Sequence, residues 1–229
     1  VYSNNEWVYG YREVDRLGGR DPYSSSKAGA EIAIDSWRQS FCGYGPHQTH
    51  YLRIGTARSG NVIGGGDWAQ DRIVPDAIRS LSIARPVEVR NPNAKRPWQH
   101  VLEPLSGYLC LAEILLTSVN PPCEAFNFGP DPDSDRTVSQ LVETLLIHWQ
   151  GSWIDCSVSD DLHEATKLHL QIEKAKDLLA WRPSWTYDRS VERTVYWYKS
   201  VLKGQDPYQC CLSDLKCYSI NLKLGSNSN

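Results

Sequence analysis

The sequence predicts an α/β fold with a largely parallel sheet, because segments with helical and strand character alternate along the chain. Three segments carry this prediction. Residues 23–42 indicate a long helix, and residues 100–118 indicate an amphipathic helix. The segment "EAFNFG" (124–129) is a short apolar run, which is typical of a strand buried on both faces. Buried strands that follow helices are characteristic of sheets whose strands run parallel.

The elements of the first half follow from local signals. Asp21 is a typical helix N-cap and Pro22 a typical first helical residue, so the long helix begins there. The segment "YLRIGTARSGNVIG" (51–64) starts with the alternation of a strand and ends in Gly and Asn turn signals. A helix is predicted next at 72–85, and a short strand, "PVEVR", at 86–90.

The second half continues in the same way. The segment 91–98 is rich in turn residues and is predicted to be a loop. Most leucines of the amphipathic helix are predicted to face the core: Leu102, Leu105, Leu109, Leu111 and Leu115. Further helices are predicted at about 137–149, 173–180 and 188–203. The residues from 205 to 229 are predicted to be a fraying tail.

Composition excludes several classes of protein. The 229 residues carry a formal net charge of −3 with a pI of about 6.1, and no basic stripe points to nucleic acid. No apolar run approaches the roughly 18 residues of a membrane helix, and no signal-peptide pattern is visible, so a cytoplasmic location is expected. The seven cysteines are scattered without C-x-x-C spacing. They indicate reduced thiols and predict no metal site.

The most informative short segment is "DPYSSSKAGAE" (21–31), which places Tyr23 and Lys27 four residues apart on one helical face. A free phenol has a pKa near 10, and a neighbouring cation favours its ionised form. The pair therefore suits a base that removes a proton from a sugar hydroxyl while hydride leaves the same carbon. The simpler alternative is an ordinary surface tyrosine and lysine, because this spacing also occurs by chance.

Longer segments make the first interpretation specific. Residues 4–27, "RSGNVIGGGDWAQDRIVPD" (58–76) and "RPWQHVLEPLSGYL" (96–109) resemble the extended short-chain dehydrogenase/reductase family, and within it the nucleotide-sugar 4,6-dehydratases that act on CDP-glucose. The resemblance extends to about residue 203. It implies the C-terminal portion of a Rossmann-type doubly wound parallel sheet, joined to a smaller mixed α/β substrate-binding domain.

The resemblance also implies a lyase that uses NAD. Oxidation of the sugar at C4 acidifies C5, water leaves across C5 and C6, and hydride returns to C6, giving CDP-4-keto-6-deoxyglucose for dideoxysugar and lipopolysaccharide biosynthesis. Tyr23 would be the base, and Lys27 would contact the nicotinamide ribose and act on Tyr23. Both residues are thus expected to be catalytic and cofactor-binding.

On the substrate side, the resemblance implies that Arg96 and Asn61 contact the sugar diphosphate and that Arg72 lies at the start of a helix covering the substrate. Guanidinium groups suit phosphate because they are always charged and can bind two oxygens at once. Arg90 is expected near the ribose or base, and His163 in a loop that closes over the substrate. The alternative for each arginine is a solvated surface charge. Arg58 is interpreted as a structural ion-pair partner.

The chain departs from the family pattern in one respect. A glycine-rich G-x-x-G-x-x-G turn, which seats the pyrophosphate of a dinucleotide on a helix N-terminus, does not precede the Tyr/Lys helix. Gly64-Gly65-Gly66 lies downstream and lacks that spacing, so it is interpreted as a turn on the substrate side. The residues of the elimination step would lie upstream of Val1. The 229 residues alone are therefore expected to be inactive.

The predicted domains are residues 1–60, with about 100–129 returning to them, as the remainder of the NAD-binding domain, and 61–99 with 130–204 as the substrate-binding domain. A homodimer, or an oligomer built from dimers, is expected through the Tyr/Lys helix, whose small residues Ala28, Gly29 and Ala30 permit close helix packing. The alternatives are a different nucleotide-sugar dehydratase or epimerase, or a non-catalytic module that binds nucleotide sugars or dimerises.

Overall fold

Seven α-helices and eight short strands form in the part of the chain that the structure, a computed structural model, describes: residues 1–42, 52–157 and 169–226. The helices are α1 (Pro22–Phe41), α2 (Ile73–Ser82), α3 (Leu102–Thr117), α4 (Val138–His148), α5 (Glu173–Leu179), α6 (Tyr187–Leu202) and α7 (Pro207–Ser226). The strands are β1 (Thr56–Ser59), β2 (Val62–Ile63), β3 (Val87–Val89), β4 (Lys95–Pro97), β5 (Gln99–His100), β6 (Ala125–Phe128), β7 (Asp135–Thr137) and β8 (Trp153–Asp155).

The described residues divide into two units. The first unit comprises residues 1–42, 52–59, 104–129 and 169–182. Its centre is the parallel pair β1–β6, in which Thr56 lies opposite Ala125. All four residues of β6 are buried, as predicted for "EAFNFG". One hydrophobic cluster packs β6 against α3 and α5, and its buried members are Leu111, Phe126, Phe128, Ile172, Ala175, Leu179 and Trp181.

The second unit comprises residues 60–103, 130–157 and 183–226. It contains the parallel pairs β2–β5 and β3–β8 and the antiparallel pair β4–β7. Helices α2, α4 and α6 supply most of one large core, to which β3 contributes Val87 and Val89. Three of the four strand pairs in the described chain are therefore parallel, which agrees with the predicted α/β class.

Helix boundaries follow the predicted capping signals. The Asp21 carboxylate accepts a hydrogen bond from the Ser24 backbone N–H at 2.9 Å, and Pro22 is the first residue of α1. Thr137 caps α4 in a capping box with Gln140, in which each side chain accepts from the backbone N–H of the other. These bonds satisfy backbone donors that have no partner inside the helix.

Four expectations are wrong in detail. Segment 91–98 is not only a loop, because it contains β4. Leu105 and Leu109 of α3 are exposed, and only part of the leucine set faces a core. Residues 169–182, predicted for the substrate-binding domain, belong to the first unit because α5 packs on β6.

The fourth correction concerns the tail. Residues 207–226 are not frayed but form α7, which packs on α6 within the second unit. The Tyr218 hydroxyl of α7 donates to the buried Glu103 carboxylate at 2.8 Å, and the Arg193 guanidinium forms an ion pair with Asp214. Within the described residues, no helix combines the length and apolar character needed to cross a bilayer.

Candidate functional site

The first turns of α1 present Tyr23 and Lys27 on the same side of the helix. The Lys27 ammonium lies over the Tyr23 ring, 5.6 Å from the ring centroid, in a cation–π arrangement. The Tyr23 side chain is exposed, with 73% of its surface accessible. The shared face predicted from the spacing is therefore present, and the phenol is open to a ligand.

The start of α1 is held by a compact set of hydrogen bonds. Ser24 donates to the Asp21 carboxylate through its side chain and through its backbone N–H, and these bonds lower the pKa of Asp21. The Ser26 hydroxyl donates to the Tyr23 carbonyl at 2.7 Å. A Cβ atom on Gly19 would lie 2.2 Å from the Ser24 hydroxyl oxygen, so only glycine permits this approach of the preceding loop.

The following turn of α1 is joined to β1 by a polar network. The Arg58 guanidinium forms a 2.7 Å ion pair with Glu31 and donates to the Tyr2 hydroxyl at 2.8 Å. The Tyr2 hydroxyl in turn donates to Asn127 on β6 at 2.7 Å. Burial raises the pKa of Tyr2, so this phenol stays neutral. Arg58 thus has the structural role that its sequence context indicates.

A pocket of about 480 Å³ lies in the second unit, and it is lined by four of the five predicted substrate residues: Asn61, Arg72, Arg90 and Arg96. The remaining lining residues are Val62, Asp71, Ile73, Asp76, Glu88, Asn91, Trp98 and Val138. His163, the fifth predicted residue, lies outside the described residues. Positions that are up to 35 residues apart in sequence are thus brought to one cavity.

The arginines differ in how firmly they are held. Arg96, on β4, is 8% exposed and donates to the Lys95 carbonyl at 2.8 Å. Arg72 forms a 2.9 Å ion pair with Asp67, and Arg90 forms a 2.7 Å pair with Asp71. Exposed ion pairs of this kind contribute little free energy. Both exposed guanidinium groups can therefore exchange an aspartate for an anionic ligand.

The loop before Arg72 rests on the core of the unit. The Tyr198 hydroxyl on α6 donates to the Asp67 carbonyl at 2.5 Å, and burial raises the pKa of Tyr198 to about 12. A Cβ atom on Gly65 would lie 2.1 Å from the Trp197 indole. The absence of a side chain in the Gly64–Gly66 turn therefore allows the loop to contact α6 directly.

The sequence interpretation missed the acidic residues of the pocket: Asp71, Asp76 and Glu88. The signal for Glu88 was available in the alternation of "PVEVR", because Val87 and Val89 face the core and the residue between them must face outwards. Nothing in the sequence marks Asp71 or Asp76, whose positions depend on the turn that precedes α2.

The fold is similar to that of known structures. The α/β architecture with parallel strand pairs is similar to the Rossmann-type fold of solved sugar-nucleotide dehydratases and epimerases. A crystal structure of dTDP-glucose 4,6-dehydratase from Streptomyces venezuelae with NAD bound superposes with a TM-score of 0.70 at 19% identity, covering 87% of this chain and 57% of that chain. The predicted fold class is thereby confirmed.

The sequence resemblance is confirmed as well. The chain is 41% identical over 219 residues to the CDP-glucose 4,6-dehydratase of Salmonella typhimurium, which covers 95% of this chain. It is 26% identical over 215 residues to the dTDP-glucose 4,6-dehydratase of Streptomyces antibioticus, which covers 90% of this chain. The chain spans 61% and 59% of the lengths of these two relatives. No protein-family model matches it.

Proposed function

We propose that this chain carries the catalytic helix and the substrate pocket of a lyase that converts CDP-D-glucose to CDP-4-keto-6-deoxy-D-glucose. The observation that carries the proposal is the 41% identity, over nearly the whole chain, to a CDP-glucose 4,6-dehydratase. The convergence of Asn61, Arg72, Arg90 and Arg96 on one cavity supports it independently.

The pocket suits a nucleoside diphosphate sugar. Arg96 supplies a guanidinium that is already positioned by β4, and Arg72 and Arg90 supply two more that can leave their aspartates. A diphosphate carries several anionic oxygens and is well matched by such forked donors. Asn61 adds an amide that can donate to the same group. His163 remains a proposed substrate contact on the basis of the resemblance alone.

Tyr23 is the proposed base for the C4 hydroxyl of the sugar. Its phenol is exposed, and the Lys27 ammonium lies over its ring. The phenolate oxygen would take the hydroxyl proton and hold it while the carbon is oxidised. Arg58, which is paired with Glu31 one turn beyond Lys27 on α1, takes no part in this step.

NAD is the proposed cofactor, and it supplies a hydride acceptor at C4 that later returns the hydride to C6. The residues present fit one end of it: Tyr23 and Lys27 offer an exposed hydroxyl and an ammonium that can donate to ribose hydroxyls. No glycine-rich dinucleotide turn occurs before α1. We therefore expect these 229 residues by themselves to hold NAD only weakly.

We also propose that α1 forms a homodimer contact. Ala28 is buried within its own unit and is not available, but Gly29 and Ala30 are exposed, and a Cβ on Gly29 would meet no atom within 4 Å. Ile32 is exposed one turn further along. A small residue beside an apolar one on an open helix face suits close packing against a second copy.

A cytoplasmic role in dideoxysugar and lipopolysaccharide synthesis completes the proposal, supported by the identity to the Salmonella enzyme.

The test follows formation of the 4-keto sugar from CDP-, dTDP-, UDP- and GDP-glucose by the full product of the native gene. We expect turnover of CDP-glucose and a loss of at least about 100-fold in Tyr23→Phe, because a general base contributes roughly 10²–10⁴ to the rate. Tyr9→Phe is the matched control, since Tyr9 is equally exposed in the same unit. It should keep the wild-type rate.

Other outcomes contradict the proposal in different ways. Wild-type turnover in Tyr23→Phe removes the phenol from the mechanism. An epimerised product without a 4-keto group indicates a different nucleotide-sugar enzyme. Binding of CDP-glucose without turnover indicates a non-catalytic module.

A further inference from the structure

Glu88 occupies the middle of β3 and faces the arginine-lined pocket. Its neighbours Val87 and Val89 are buried in the core of the second unit, so the pleat directs Glu88 to the opposite, open face. Arg90 and Asn91, which follow β3, line the same cavity. The carboxylate is therefore part of the pocket wall and is held by a strand rather than by a loop.

The charges in the pocket single Glu88 out from the other acids. Asp71 is paired with Arg90, and Asp76 is paired with Arg79. The side-chain carboxylate of Glu88 has no hydrogen-bond or ion-pair partner among residues 1–42, 52–157 and 169–226. A carboxylate left unpaired beside guanidinium groups repels a diphosphate. A hydrogen bond that the carboxylate accepts from another part of the ligand would offset this repulsion.

Pyrimidine chemistry indicates which part that is. Cytosine presents an exocyclic N4 amino group, a donor, where uracil and thymine present the O4 acceptor. An ionised carboxylate accepts hydrogen bonds and donates none. It therefore attracts cytosine and repels uracil at the same position. The hydroxyls of a ribose are also donors, but CDP and UDP share them and they cannot discriminate between the two.

We infer that Glu88 selects the cytosine base, accepting a hydrogen bond from its N4 amino group; this inference rests on the proposed nucleotide-sugar function. The strand partner of Glu88 in register is Ile154 on β8, which is exposed on the same face of this two-stranded sheet. Its apolar side chain offers a surface for the flat side of a pyrimidine ring. Glu88 is thus a specificity residue, separate from the arginines that bind phosphate.

The experiment measures binding of CDP and UDP to the 229-residue chain by titration calorimetry. Wild type should bind CDP at least about tenfold more tightly than UDP, since one well-placed base contact gives a discrimination of that order. Glu88→Gln should reduce the CDP:UDP affinity ratio to near unity, because its amide can donate to O4 as well as accept from N4. Glu88→Ala should weaken CDP binding and strengthen UDP binding, because it removes both the acceptor for N4 and the repulsion of O4.

Asp155→Asn is the matched control. It removes the same charge from the neighbouring strand, and its side-chain oxygen still accepts from the Ser157 N–H. It should leave the CDP:UDP ratio unchanged, which separates a base contact from a general change in charge.

The outcomes are distinguishable. Failure of the chain to bind either nucleotide overturns the proposed pocket function and the base contact with it. Binding with an unchanged CDP:UDP ratio in both Glu88 variants overturns the base contact alone. An equal loss of affinity for CDP and UDP assigns Glu88 to the ribose and also overturns it.

Discussion

Helices α1 and α6 are both long, yet they use their surfaces in opposite ways. α6 buries nine of its 16 residues, among them Val191, Val195, Trp197 and Tyr198, and it joins the largest hydrophobic cluster of the described chain. α1 buries two of its 20 residues, Ala28 and Arg38. Helix α6 builds the interior of its unit, whereas α1 is attached through a few residues and exposes the rest of its surface.

This difference in burial separates residues that stabilise the fold from residues that can contact a ligand. A helix that is buried on most sides has little freedom to present reactive groups, because every side chain has packing partners. α1 can present Tyr23 and Lys27 because the ion pair of Glu31 with Arg58 joins the following turn of the helix to β1. Substitutions on the two helices should therefore have different consequences.

The largest effect is expected from truncating matched tryptophans. Trp197 on α6 is 5% exposed and Trp37 on α1 is 58% exposed. Trp197→Ala should lower the free energy of unfolding by about 3–5 kcal/mol, and Trp37→Ala by less than about 0.5 kcal/mol. Urea denaturation of both variants checks this. Equal losses would show that α1 is covered in solution.

A smaller effect on the free energy of unfolding is expected when the pH is lowered. His100, beside α6, is 2% exposed, and burial together with the charge of Arg193 lowers its pKa to about 3. The unfolded chain takes up this proton below about pH 6.5 and the folded chain does not, so stability is present above that pH and is lost as the pH falls towards 3. The loss is about 2 kcal/mol at pH 5.

His100→Gln provides the comparison for this prediction, because glutamine does not titrate. The difference in unfolding free energy between pH 7 and pH 5 should be about 2 kcal/mol smaller in this variant than in wild type. Parallel pH profiles of the two proteins would contradict a neutral buried imidazole.

The smallest effect tests the open face of α1. Gly29→Leu should raise the free energy of unfolding by roughly 0.5–1 kcal/mol, because leucine is a better helix former and meets no obstacle. The same variant should weaken self-association, measured by sedimentation velocity, if two copies pack closely there. Unchanged self-association in a more stable protein would exclude this face as the contact.

Local chemistry explains which features the sequence could predict. Asp21 and Pro22 mark the start of α1 without reference to the rest of the chain, and "EAFNFG" is buried because it is apolar on both faces. The four pocket residues were found through long matched segments, not through physical reasoning on single positions. Their convergence could not be derived from spacing, since it depends on how β3, β4 and α2 pack.

The missed features depend on tertiary contacts. α7 lacks a strong amphipathic pattern, and its position depends on the bond from Tyr218 to Glu103 and on the pairing of Arg193 with Asp214. β4 is short and contains a proline, so its residues indicate a loop, yet β7 pairs with it. Arg96 is buried as a result of that pairing, and this burial could not be predicted from the sequence.

The bond from Tyr198 to the Asp67 carbonyl joins the interior of the second unit to the loop that carries Arg72. Ligand affinity and fold stability are consequently linked quantities in this unit. A nucleotide that fixes Arg72 would slow amide hydrogen exchange along α6. Conversely, a substitution that destabilises α6 would lower the affinity for phosphate. Substitutions in the core can therefore alter ligand affinity without changing any residue in contact with the ligand.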